Sequence, residues 1–333
     1  MQNPLPFGVQ TPFQLGKLLL PNNLFYAPLA GCSDFPFRRM SAKFKPGLMY
    51  CEMVKMDALV RNDQNTFHLL DFDASMHPIG AQLCGSKPSI AGKAAKMIED
   101  LGFDVVDLNC GCPVDKVTKD GSGSGMLKTP ELIGDVIASM VASVKIPVTV
   151  KIRAGWNDRE INAPLITQIA EKAGAVAICV HGRTREQAYR GPANWDYIKA
   201  CKDAATTISV IGNGDLFTPD AIENIYAQTR CDAFLISRGT LGQPWIVQDI
   251  LDKSLNKPVE ERSSSQIKQA LVEHFDEMLR YLPERKAVIE MRRVGCWYFK
   301  KAGGTRSFRE KISRAQSTQE IFQIIQELDF SNE

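Results

Sequence analysis

Five short stretches of this sequence carry side chains able to do chemistry. Asn109-Cys110-Gly111-Cys112-Pro113 holds a thiol, Cys112, between a glycine and a proline, which together imply a sharp and fixed turn. An ordinary thiol has a pKa of about 8.5, so at neutral pH it is mostly protonated and can serve as an acid. Lys151 closes an otherwise apolar run, Pro147 to Ile152, and His181 stands in His181-Gly182-Arg183-Thr184. Gly212-Asn213-Gly214-Asp215 and Ser237-Arg238-Gly239 combine glycines, which let backbone amides approach an anion, with an arginine able to grip phosphate through two parallel bonds. Each stretch also has a bland reading. The glycines can serve tight turns, Lys151 can pair with an acid such as Glu52, and a lone histidine is often a hydrogen-bonded core residue.

These groups need a frame, and the apolar pattern supplies one. Short runs resembling buried parallel strands recur at Leu24 to Pro28, Leu48 to Glu52, Ile79 to Cys84, Val105 to Asn109, Val148 to Ile152, Val176 to His181, Ile208 to Gly212 and Ala233 to Ser237. Helix-like segments such as Ser89 to Leu101, Pro130 to Val144, Ala163 to Ala173 and Pro219 to Tyr226 lie between them. Strand and helix alternating eight times predicts an α/β fold of the (β/α)8 TIM-barrel kind. A doubly wound sheet would place a glycine-rich G-x-G-x-x-G turn after an early strand, and the first strand here runs into Pro28-Leu29-Ala30-Gly31 instead. The glycine run Gly121 to Gly125 comes a dozen residues after a strand, lacks a phosphate-loop lysine, and reads as a mobile loop. In a barrel the active site forms at the carboxyl ends of the strands, where Glu52, Gln82, Asn109, Lys151, Arg153, His181, Arg183, Asn213, Asp215, Ser237 and Arg238 make an unusually polar ring.

A polar stretch, Asn256 to Gln266, follows the barrel pattern, and helical periodicity alone continues beyond it in Ile267 to Leu282, Ala287 to Phe299 and Thr318 to Leu328. The expected organisation is a barrel over residues 1–258 and a small helical bundle over 259–333. Eleven basic residues against three acids fall between Arg280 and Arg314, although the whole chain of 333 residues nets only +2. A local basic face of that kind suits a phosphate backbone, and its bland alternative is a solvated helix face. No apolar run is long enough to span a membrane, and the N-terminal residues lack a signal-peptide layout. Nine cysteines without a C-x-x-C pair argue against disulfides or structural zinc. A cytoplasmic protein without a metal site is expected, and a monomer would suffice.

Together the motifs closely resemble the tRNA-dihydrouridine synthases, flavin enzymes that reduce selected uridines of tRNA. The resemblance runs nearly end to end. It comprises Ala27-Pro28-Leu29-Ala30-Gly31, Ser33-Asp34, Pro36-Phe37-Arg38, Gln82, Asn109 to Pro113, Lys151-Ile152-Arg153, Gly155-Trp156, His181 to Thr184, Gly212 to Asp215, Arg238-Gly239, Gly242 and Pro244-Trp245. It implies that Pro28, Leu29, Ala30, Gln82, Lys151, His181, Asn213, Gly214, Asp215, Ser237 and Arg238 hold FMN. It further implies that Cys112 is the proton donor and that Asn109 and Arg190 contact the target uridine. Leu29 stands where Met is common and Ser237 where Gly is common, changes small enough to leave FMN binding expected.

On this reading the C5=C6 bond of a uridine extruded from tRNA takes hydride at C6 and a proton from Cys112 at C5. NADPH or NADH is the implied electron donor. Arg292, Arg293, Lys300 and Lys301 are expected to grip the tRNA backbone, with Arg292 and Arg293 alternatively pinning the tail to the barrel. Two other readings stand beside this one. An FMN barrel acting on a free pyrimidine would not need the basic tail, and a non-catalytic tRNA-binding protein would not need Cys112, Lys151 and His181.

Overall fold

The computed structural model describes residues 6–298 and 306–327. Its centre is a closed, all-parallel barrel of eight strands: β3 (Leu24–Tyr26), β4 (Leu48–Lys55), β5 (Ile79–Cys84), β6 (Val105–Cys110), β7 (Val148–Arg153), β8 (Ala177–His181), β9 (Ser209–Asn213) and β10 (Ala233–Ile236). All eight expected strands are present, neighbours in sequence pair with each other, and β10 closes on β3. The outward face of each strand packs on helices. In helix Pro88–Asp100, for example, Ala91, Ala94, Ala95 and Ile98 are buried at helical spacing. Proline occupies the first turn of helices Pro88–Asp100, Pro130–Val141, Ala163–Lys172 and Pro219–Thr229, where its missing N–H costs nothing.

Inside the barrel the layers differ in chemistry. The amino-terminal half is apolar, with Phe25, Leu48, Val105, Ala177 and Ala233 in one cluster. That cluster is completed by an antiparallel hairpin the strand pattern did not anticipate, β1 (Phe13–Leu15) and β2 (Leu18–Leu20). Phe13, Leu15 and Leu20 are buried against the barrel floor, and Gly16, at φ +57°, makes the turn between the strands. The floor is therefore shut, and a ligand can enter only at the carboxyl ends. The glycine run is also ordered, contrary to the mobile loop read from it. Gly123–Lys128 forms a 3-10 turn whose Ser124 donates from its backbone nitrogen (3.0 Å) and its hydroxyl (2.9 Å) to the carbonyl of Cys112. A Cβ at Gly123 would sit 2.9 Å from that carbonyl, so the glycine is there to permit close approach.

Beyond helix Ile246–Ser254, a capping box on Ser263 and Gln266 starts helix Ser264–Tyr281, followed by helices Glu284–Tyr298, Arg306–Arg314 and Thr318–Gln326. These helices share a core that includes Leu271, Phe275, Met278, Met291, Ile312, Ile321 and Ile325. Helix Arg306–Arg314 lies outside the three helical segments read from the sequence, and Lys300 and Lys301 lie outside the described residues. The bundle docks beside the barrel mouth. Tyr281 stacks on Phe35 with ring centroids 4.4 Å apart and donates to Asp71 at 2.7 Å, and Lys43 pairs with Glu273 at 2.7 Å.

Gly242, at φ +73°, lies against the backbone of Trp297, and a Cβ there would come within 2.4 Å of it. Neither backbone can yield easily. Gly242→Ala is expected to cost about 2 kcal/mol or more through strain and displacement of the docked helix. Limited proteolysis around residues 255–263 should accelerate in this variant, and an unchanged digestion pattern and melting temperature would show that docking does not depend on this contact.

Candidate active site

The carboxyl ends of the strands surround a cavity of about 620 Å³, within the range of pockets that hold cofactors. Every residue assigned above to the cofactor lines it: Pro28, Leu29 and Ala30 after β3, Gln82 on β5, Lys151 on β7, His181 on β8, Asn213 to Asp215 after β9, and Ser237 and Arg238 after β10. Asn109 and Cys112 line the same cavity. Sequence-distant residues meet here because a parallel barrel brings all its strand ends to one rim.

One wall is a polar chain. Gln82 donates through Nε2 to Asp107 (2.7 Å), Thr149 donates to the other oxygen of Asp107 (2.6 Å), and Asn109 donates through Nδ2 to Gln82 Oε1 (2.7 Å). The remaining oxygen of Asn109 accepts from the backbone nitrogens of Gly111 (3.1 Å) and Cys112 (2.9 Å). The turn carrying the thiol is thus held from the strand by Asn109 and from outside by Ser124. Arg153 braces it too, donating to the Gly111 carbonyl at 2.9 Å and to the carbonyls of Thr184 and Ala188.

The opposite wall is cationic. Asp215 bridges two arginines, accepting from Arg183 at 2.6 Å and Arg238 at 3.2 Å, and it also accepts from the backbone nitrogen of Ala193 at 2.8 Å. Its carboxylate is engaged with all three groups. Gly214, at φ +123°, passes so close to Ala193 that a Cβ would fall 2.7 Å from the alanine methyl. Asn213 donates to the Leu235 carbonyl (2.6 Å) and to the Ser237 hydroxyl (3.0 Å), tying β9 to β10 at the rim.

Lys151 does not pair with Glu52, which instead accepts from the backbone nitrogen of Gly31. Its ammonium has no hydrogen bond or ion pair among the described residues, and burial lowers its pKa. An unpartnered cation lining a cavity is a group waiting for an acceptor. His181 is also shifted down, well below 6.5, first by burial and then by the charges of Lys151, Arg153, Arg183 and Arg238. It is therefore neutral at physiological pH. The guanidinium of Arg183 lies 3.3 Å from Nε2 and can only donate, so Nδ1 carries the proton. A neutral imidazole beside four cations favours an anionic ligand with hydrogen-bonding edges, and the residues present fit a phosphorylated aromatic cofactor.

Three residues expected at the substrate lie elsewhere or are otherwise engaged. Arg190 is exposed, does not line the cavity, and donates to the Glu186 carbonyl at 2.9 Å. Arg292 turns into the bundle, donating to the Ala315 carbonyl (2.7 Å) and to Gln316 (3.0 Å). Arg293 does reach the cavity, but its guanidinium pairs with Glu290 at 2.5 Å and donates to the Gly31 carbonyl, joining bundle to barrel. The site also contains groups not singled out as ligands: Arg153 and an aromatic rim of Tyr189, Phe217 and Trp297. Arg238 lies over Tyr189 (4.6 Å to the centroid) and Phe217 (5.4 Å). Arg153, already expected at the rim, shares a strand face with Lys151, since alternate residues of a strand point the same way.

The comparisons with known proteins agree with this architecture. The family model described as dihydrouridine synthase matches residues 25–333. The tRNA-dihydrouridine synthase B of Pseudomonas aeruginosa is 34% identical over 307 residues, covering 92% of each chain. A probable tRNA-dihydrouridine synthase 1 of Synechocystis sp. is 35% identical over 322 residues, 96% of this chain and 89% of that one. Among solved structures, morphinone reductase superposes with a TM-score of 0.54 at 14% identity, covering 80% of this chain and 93% of its own. Histamine dehydrogenase from Rhizobium sp. 4-9 gives 0.57 at 13% identity over 80% of this chain and 50% of that one. At such identities these two likenesses establish the fold alone.

Two stability effects follow from the buried charges. Burial outweighs the attraction of Asp107 at Lys151, whose ammonium makes no ion pair, so Lys151→Met should raise the melting temperature of the ligand-free protein by a few degrees, roughly 1–3 kcal/mol. No change, or a fall, would mean the lysine has a stabilising partner. For His181 the folded pKa is depressed, so its contribution is present above the unfolded value of about 6.5 and is lost as pH falls toward the folded one. Asp34 and Asp107, both pushed up to about 6 by burial, act in the opposite sense, so the wild type must be compared with His181→Asn. Urea titrations should show the wild type losing up to about 1.4 kcal/mol per pH unit relative to the variant below about pH 6.5. Parallel pH profiles would contradict a buried neutral His181.

Proposed function

The chain belongs to the dihydrouridine synthase family, a family of oxidoreductases, and from that premise we propose that it reduces the C5=C6 bond of specific uridines in the tRNA D-loop to 5,6-dihydrouridine. The observation that carries this reading is the lining of one cavity by the Cys112 thiol, the Asn109 amide and the unpartnered ammonium of Lys151. The eleven residues from Pro28 to Arg238 named above would hold FMN, which when bound would supply hydride drawn from NADPH or NADH.

The residues of the chain have separable tasks. Arg238, aimed by Asp215, would hold the phosphate together with the Gly214 backbone. Lys151 would offer its positive charge to the cofactor, the use for an ammonium that makes no hydrogen bond or ion pair in this cavity. Neutral His181 offers a donor at Nδ1 without adding to the positive charge. At the substrate, charge develops on C5 and O4 as C6 is reduced, and Cys112 gives its proton to C5. Asn109 places Cys112 by holding its backbone nitrogen at 2.9 Å. A uridine must leave its stack to reach the cavity, a cost of a few kcal/mol that contacts elsewhere on the tRNA offset. With Arg292 and Arg293 engaged inside the protein, the exposed Arg285, Lys286, Arg309 and Arg314, which have no partner among the described residues, are the cations available to the phosphate backbone.

The rival reading, a barrel acting on a free pyrimidine, leaves that basic bundle face without a purpose. With purified protein, NADPH and unmodified tRNA, the wild type should form dihydrouridine. Cys112→Ala should bind FMN with an unchanged visible spectrum and reduce the base at least 100-fold more slowly, in line with the usual contribution of a general acid. Equal turnover by the variant would remove Cys112 from the mechanism, and turnover of free uracil or uridine in preference to tRNA would favour the rival.

A further inference from the structure

The polar chain beneath the cavity has donor-only groups at one end and an acceptor-only group at the other, and that decides the orientation of every amide between them. The backbone N–H groups of Gly111 and Cys112 can only donate, so Asn109 must turn its oxygen to them and its nitrogen to Gln82. An ionised carboxylate can only accept, so Gln82 must turn Nε2 to Asp107 and leave Oε1 for Asn109. Thr149 saturates the other oxygen of Asp107. Asp107 lies outside the main cavity lining and is 4% exposed, yet it ends the chain that holds the Cys112 turn.

We propose that Asp107 is a positioning residue: acting through Gln82, it fixes the Asn109 amide so that its oxygen holds the Cys112 turn and its second Nδ2 hydrogen is the donor offered to the substrate. Resting on the uridine reading, this makes Asn109 a reader of a pyrimidine carbonyl oxygen and not of the N3–H. Reversing the chain's polarity would present an acceptor at the same place and turn that discrimination over. A carboxylate buried this deeply is costly, and burial raises its pKa to about 6, so it is largely ionised at about pH 7.5. A neutral residue would serve packing more cheaply, but it would not dictate which way the amides point.

The test reverses the chain by two substitutions that exchange the amide and the acid. Asn109→Asp alone sets an acceptor against Gln82 Oε1, and turning Gln82 over only moves the conflict to Asp107. Adding Asp107→Asn relieves it, because Asn at 107 can donate to Gln82 Oε1, Gln82 Nε2 can donate to Asp at 109, and the Gly111 and Cys112 nitrogens keep an acceptor. The melting temperature and FMN content of N109D, D107N and the double variant are measured with the complete chain, followed by KM and kcat on tRNA. N109D should melt more than about 5 °C lower, or fail to accumulate as soluble protein, and the double variant should recover most of the loss. Additive losses overturn the positioning role whatever the enzyme acts on. The double variant, folded and yellow, should show KM for tRNA raised at least tenfold; wild-type KM and kcat would overturn the carbonyl-reading part. If even the wild type forms no dihydrouridine, the functional reading fails while the stability coupling still judges Asp107.

Discussion

The interior of a closed barrel is largely shielded from solvent, so each polar side chain buried there must find a partner or remain at a cost. That constraint divides this molecule into two halves. In the lower half Phe25, Leu48, Val105 and the hairpin residues Phe13, Leu15 and Leu20 satisfy it by being apolar. In the upper half Asp107, Gln82, Asn109 and Thr149 satisfy it by bonding to one another, and Arg183, Asp215 and Arg238 do the same across the rim. Lys151 makes no such bond among the described residues, which sets its ammonium apart from the neighbours that pair.

The same economy explains the bundle. Its position beside the mouth depends on side chains that a charge count would assign to solvent or to nucleic acid. Arg293 ties the bundle to the Gly31 carbonyl, Arg292 closes the bundle on itself at Ala315, and Tyr281 stacks on Phe35. The basic stretch is thus of two kinds, structural cations turned inward and free ones turned outward. The first kind sets where the outward-facing basic surface sits relative to the cavity.

Much of this was legible in the sequence because barrels put function at strand ends. The apolar runs ending in Gln82, Asn109, Lys151, His181 and Asn213 marked both the strands and the rim, and the short turn Asn109 to Pro113 marked the thiol. What could not be read was each group's partner. Nothing local says that Arg292 meets Ala315 or that Asp215 bridges two arginines, since those neighbours are brought together only by the fold. Other features were present in the sequence but not weighed. Phe13-x-Leu15 and Leu18-x-Leu20 around Gly16-Lys17 form a two-residue hairpin pattern, and the i, i+2 spacing of Asp107 to Asn109 reports a shared face. The glycine run misled because glycine permits mobility and close packing alike, and only the neighbouring Cys112 carbonyl decides between them.

Central to the proposed function is a cavity that takes a uridine of tRNA. The most direct measurement is a map of dihydrouridine in tRNA from cells lacking the protein, compared with cells carrying it and with no redundant enzyme present. Loss of the modification at one position or pair of positions, with the others intact, is the predicted result and also identifies the site chosen. An unchanged map would contradict the claim and return the cavity to a free pyrimidine.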